Sequence, residues 1–206
     1  MGKFIVFEGI DGAGKSTQVA LIKERLEAMG RKVALTAEPT SLESGKALRE
    51  ALSGRVKKSE CEMAAMFVLD RIAHNKAEGG IDDLLDNGFD VISDRYYYST
   101  LAYQGQTTDY AWVKSMNVNC PEIRRPDVCI YLDLLPEDSL ARISARGEAR
   151  EIYENLDRLT AVRKAFLATI DDLTRDGENI FVIDAGRTPD EIAKDIYGAI
   201  STILKD

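Results

Sequence analysis

One octapeptide constrains the architecture of this chain more than any other stretch. Gly9-Ile10-Asp11-Gly12-Ala13-Gly14-Lys15-Ser16 follows the apolar run 3–8 and opens the amphipathic run 15–29. The order is strand, glycine-rich turn, helix, and the spacing is Gly-x4-Gly-Lys-Ser/Thr. Glycines allow successive backbone N–H groups to turn inward around phosphate oxygens. The N-terminus of the following helix adds partial positive charge. In such a loop Lys15 reaches the β- and γ-phosphates and the Ser16 hydroxyl ligates Mg²⁺. Residues Gly9 through Thr17 therefore read as a site for a nucleoside triphosphate, with the reaction left open. The plainer alternative is a glycine-rich turn that happens to precede a helix, and the local geometry decides between them.

The rest of the chain repeats the alternation. Residues 32–37, 89–94, 127–133 and 179–184 are short and rich in β-branched or otherwise apolar side chains, as in strands covered on both faces. Amphipathic helices are expected over 15–29, 60–78, 136–146 and 188–204. Gly30, Gly79-Gly80 and Gly147 stop the first three, and Thr188-Pro189 opens the last as N-cap and first residue. Strand and helix in alternation predict an α/β fold, a parallel sheet with helices on both faces. Ligands on such sheets bind beyond the carboxyl ends of the strands. Segment 104–126 is polar, carries two prolines, and is expected to be a surface connection with a short helix near 109–117. With 206 residues and no linker, the expected unit is a single domain, 1–206.

Composition removes several classes. A chain that is 45% hydrophobic and 30% charged is globular rather than disordered. A net charge of −8 argues against a general nucleic-acid or anionic-membrane binder, so any anion must be held locally. No apolar run approaches the roughly 20 residues of a membrane helix, and the opening run is too short for a signal peptide. Cys61, Cys120 and Cys129 are odd in number and form no CxxC pair, which suits free thiols in a reducing cytoplasm. His74 is the single histidine, so a multi-histidine zinc site is excluded. Asn75-Lys76-Ala77-Glu78 approximates a guanine-reading NKxD, but it lies in a helical pattern and reads as a solvated helix face.

Several residues invite chemistry. Asp94 ends an apolar strand at the sheet edge, where a carboxylate can hold Mg²⁺ or its waters. Arg95 follows, and its guanidinium is a planar fork for phosphate, although a buried structural ion pair would use the same two residues. Phe67 and Arg71 share a helix face at i, i+4, a pairing that suits stacking on a nucleobase and bonding its carbonyl; a core phenylalanine is the alternative. Thr100 and Gln104 have the same spacing and can both donate and accept. Arg142, Arg146 and Arg150 recur every four residues, forming either a cationic lid or a solvated basic face.

Residues 7–17 (FEGIDGAGKST), Glu38-Pro39, Phe67-Val68-Leu69-Asp70-Arg71, Asp94-Arg95-Tyr96 and Ser99 through Gln104 together resemble the thymidylate kinase family. The resemblance implies a P-loop kinase three-layer sandwich with a five-stranded parallel sheet and a mobile lid near 142–155. It implies transfer of the γ-phosphoryl of ATP to dTMP, Mg²⁺ dependence, a homodimer and a cytoplasmic location. It further implies that Phe67 stacks on thymine, Arg71 reads O4, and Ser99, Thr100 and Gln104 lie against the substrate. Tyr103 would pack on the deoxyribose. Glu38 and Arg49 would serve the sugar and monophosphate. Arg95 would bridge acceptor and transferring phosphates, and Asp11 would position the acceptor or a metal-bound water. Gly12 and Ala13 stand where some members carry a loop arginine, and Ala37 where members usually have arginine. Lid residues Arg146 and Arg150 are then expected to supply catalytic charge, with Arg142 near adenine. A kinase for dUMP, dCMP or a free deoxynucleoside, and a nucleotide-dependent switch or partitioning ATPase, remain the alternatives.

Overall fold

The computed structural model describes residues 2–145 and 152–204. Its elements run β1 (Phe4–Glu8), α1 (Lys15–Ala28), β2 (Lys32–Ala37), α2 (Glu43–Leu52), α3 (Glu60–Lys76), α4 (Ile81–Asp86) and β3 (Phe89–Asp94). Then come α5 (Tyr97–Thr107), α6 (Tyr110–Val118), β4 (Val128–Asp133), α7 (Pro136–Ala145), α8 (Ile152–Arg175), β5 (Ile180–Asp184) and α9 (Pro189–Ile200). The strands form one five-stranded sheet in the order β2-β3-β1-β4-β5, and every pairing is parallel. This is the α/β architecture expected for a P-loop kinase.

The central strand explains the core. All five residues of β1 are buried, which only a strand covered by helices on both faces can sustain. Its register sets Phe7 beside Asp94 on one side and Glu8 beside Tyr131 on the other. Asp133 pairs with Asp184 farther along the same rim. Carboxylates therefore line the carboxyl edge of the sheet: Glu8 is fully buried, Asp94 and Asp133 are half-buried and Asp184 is exposed.

All five expected strands are present within a residue of their expected bounds. The polar segment after residue 104 carries the expected short helix as α6 but departs from expectation in its burial. It is not a mere surface connection, because Val113 and Asn117 of α6 are fully buried. Val113 joins the core, and Asn117 is drawn in by hydrogen bonding to Arg71. The stretch beginning at Asn75 also differs. Lys76 and Glu78 are exposed, but Asn75 is fully buried, its amide donating to the Arg71 carbonyl and to Tyr96 Oη. The ten-residue α2 and the 24-residue α8, both amphipathic, are not anticipated from the sequence. Phe166 of α8 is fully buried and meets the rings of Tyr131 and Tyr103 at 5.3 and 5.8 Å.

Candidate active site

A cavity of about 630 Å³ opens at the carboxyl edge of the sheet. The loop after β1 forms its floor through Asp11, Gly12, Gly14, Lys15, Ser16 and Thr17. Glu38, Asp94, Arg95 and Tyr103 form one wall, and Arg158, Leu159 and Val162 of α8 form part of another.

The loop is shaped by its glycines. Gly9 has φ +148°, and a Cβ there would sit 2.7 Å from the Leu132 carbonyl oxygen. Gly14 has φ +92° and caps α1 in the left-handed region, which side chains disfavour. Ser139, buried on α7, donates to the Asp11 carbonyl and ties the loop to the helix after β4. Lys15 Nζ donates to the carbonyls of Gly9 at 3.0 Å and Ile10 at 3.3 Å. Burial, reinforced by the nearby Arg95 guanidinium, lowers the Lys15 pKa to about 8. The lysine is thus a cation held against its solvation preference beside a loop built for anions.

Arg95 stands at the junction of β3 and α5 with φ +73°, the only positive φ at a non-glycine among the described residues. Its guanidinium donates to Asp11 Oδ1 at 2.6 Å, Ser99 Oγ at 3.0 Å and the Gly9 carbonyl at 3.3 Å, and lies over the Tyr103 ring. Glu8 organises this junction. Fully buried, it accepts from Tyr96 N–H at 2.8 Å, Ser99 N–H at 3.0 Å and Ser99 Oγ at 2.7 Å. Burial raises the pKa of its carboxyl group. Nothing in the sequence except its place at a strand end singles out Glu8.

The second wall is a polar network under the helices. Arg71 is 1% exposed and donates to Glu38 Oε2, Thr100 Oγ1 and Asn117 Oδ1. Glu38 in turn faces the cavity. Asp70 holds the segment after Glu38 by accepting from Thr40 N–H, Thr40 Oγ1 and Ser44 Oγ. Phe67 is half-buried on α3 and Gln104 half-buried on α5. Neither they nor Arg71 and Thr100 line the cavity; Arg71 joins Thr100 to Glu38, which does. Arg49 lies elsewhere, donating to the Pro39 and Thr40 carbonyls on a neighbouring cleft. Arg142 donates to the carbonyls of Gly12 and Ala185, joining α7 to the loop after β5. Arg146 and Arg150 lie outside the described residues. Arg158 was not anticipated, because a charged residue on a long amphipathic helix looks like any solvated one.

For a divalent metal, the donor set matters. Among the described residues no group of three His, Cys, Asp or Glu side chains could hold one. Asp94 Oδ1, however, is buried without a hydrogen-bond partner, and Ser16 lines the same cavity. One carboxylate and one hydroxyl fit Mg²⁺, which takes its remaining ligands from phosphates and water. Among the described residues, no helix is long and apolar enough to cross a membrane.

Relatives match this chain in sequence over most of its length. A probable thymidylate kinase of Pyrobaculum aerophilum is 38% identical over 204 residues, covering 98% of each protein. A probable thymidylate kinase of Methanococcus aeolicus is 37% identical over 95% of this chain and 94% of its own. A thymidylate kinase of Leptospira interrogans is 38% identical over 79% of each. The model of the family described as thymidylate kinase matches residues 7–196, and with the phosphate loop, Arg95 and the Arg71 network in place, the chain belongs to the thymidylate kinase family.

Proposed function

We propose that this protein transfers the γ-phosphoryl of ATP to dTMP, giving dTDP and ADP. The observation that carries the reading is the single cavity lined by Lys15 on one side and by Glu38, Arg95 and Tyr103 on the other, in a chain of this family. The loop and Lys15 bind the donor phosphates. Arg95 exchanges its Asp11 contact for phosphate and neutralises charge between donor and acceptor. Asp11, released, orients the acceptor. Glu38 and Tyr103 hold the sugar, and Phe67, Arg71, Ser99, Thr100 and Gln104 select the base. Arg49 stays with the acceptor side in this reading. Ser16 and Asp94 would hold Mg²⁺, which supplies positive charge against the donor phosphates. Residues 142–155 form the lid of a single catalytic domain, Arg142 serving the adenine side and Arg146 and Arg150 adding charge at the transferring group. A homodimer in the cytoplasm completes the proposal.

ADP release is measured across dTMP, dUMP, dCMP, dGMP and thymidine. Selective turnover of dTMP is expected, with Lys15→Ala losing most of it while remaining folded. Arg71→Ala is expected to raise the KM for dTMP far more than that for ATP. ATP hydrolysis indifferent to every acceptor would overturn the reading.

A further inference from the structure

His74 has no part in the roles assigned above, yet it is the only histidine of the chain and is 5% exposed. It sits on α3 one turn beyond Arg71. Its Nδ1 lies 3.0 Å from Glu38 Oε1, and its Nε2 is bonded to Thr36 Oγ1 on the edge strand β2. Glu38 is therefore gripped at both oxygens from the same helix, Oε2 by Arg71 and Oε1 by His74. An arginine contact alone leaves a carboxylate free to turn about its last bond. A second donor at the other oxygen removes that freedom and decides which lone pairs remain for the cavity.

We propose that His74 is a positioning residue that fixes the Glu38 carboxylate toward the acceptor substrate. The inference rests on the reading of Glu38 as an acceptor-side group. A carboxylate paired with Arg71 can only accept, so the proton facing it belongs to Nδ1 of the imidazole. The Thr36 hydroxyl completes the arrangement at Nε2 and sets the ring plane. A purely architectural tie between α3 and β2 would need no particular nitrogen to carry the proton.

The first measurement uses the unaltered protein. Its one histidine gives one set of imidazole ¹⁵N resonances, and a protonated Nδ1 is expected. A neutral ring protonated only at Nε2 overturns the proposal whatever the variants do. The second compares His74→Asn, whose amide reaches the Nδ1 position, with His74→Gln, whose amide reaches the Nε2 position. His74→Asn is expected to keep the KM for dTMP within about threefold. His74→Gln is expected to raise it about tenfold or more, the scale of a misaligned positioning group. The KM for ATP stays within about twofold in both. Equal behaviour of the two variants, or a parallel rise in the KM for ATP, overturns the proposal. Failure of the unaltered protein to phosphorylate dTMP would instead overturn the functional reading, leaving the resonance test of the His74–Glu38 contact in force.

Discussion

Lys15 carries its charge at a cost that depends on pH. Burial and the Arg95 guanidinium hold its pKa at about 8 instead of 10.5, a penalty on the ammonium form on the order of 3 kcal/mol. Between these values the unfolded chain binds the proton that the folded chain has released, so this group makes stability rise with pH. Urea unfolding of the ligand-free protein at pH 7.5 and 9.5, compared with Lys15→Met, should show that rise only in the unaltered chain. ATP affinity should move the opposite way, weakening above pH 8 by up to about tenfold per unit as the ammonium is lost; titration calorimetry checks it. Glu8 offers a second test. Its three donors come from the turn that holds Arg95, and Glu8→Gln turns an amide N–H against one of them. A stability loss of about 2 kcal/mol and a lower kcat should follow, read by thermal unfolding and steady-state kinetics. Lys15 was legible from the Gly-x4-Gly-Lys-Ser spacing, and Asp94 and Arg95 because they close an apolar run. Glu8, Ser139, Asn117 and His74 were not, because their partners lie far away in the chain.

Elements were legible where apolar residues were dense. The five strands and α1 and α3 announce themselves by nearly continuous or evenly phased apolar side chains. α6 was legible as a short helix near 109–117, but its burial was not, since its inner face includes Asn117, which lies inside because Arg71 needs an acceptor. α8 is amphipathic, but its place became clear only from its partners. Arg163 forks onto Asp133 with two 2.7 Å bonds, and Phe166 fills the space between Tyr103 and Tyr131. This fastening sets Arg158 at the cavity wall. Phe166→Ala should therefore cost about 3–5 kcal/mol in urea unfolding, and should also raise the KM for dTMP because Tyr103 loses its edge contact. Of Arg142, Arg146 and Arg150, only Arg142 lies among the described residues, on α7.

At the scale of the molecule, the strand order sets β1 between β3 and β4, so the loop after β1 is flanked by Asp94 and Arg95 on one side and by the α7 contacts on the other. Nucleotide binding there should lock several elements together. At ATP a hundredfold above its Kd, the folded state should gain about 2.7 kcal/mol, a rise in Tm of roughly 5–10 °C for a chain of this size. Lys15→Ala should remove most of the shift. By itself the sequence determined the phosphate loop, the alternating α/β plan and the Asp94-Arg95 pair, because backbone conformation and strand ends depend on residues that are near neighbours. Only the tertiary structure decided that Glu38, Arg71, His74, Thr100 and Asn117 form one buried network behind the cavity. Hydrogen bonds between distant segments exist only after strand order and helix packing have brought those segments together.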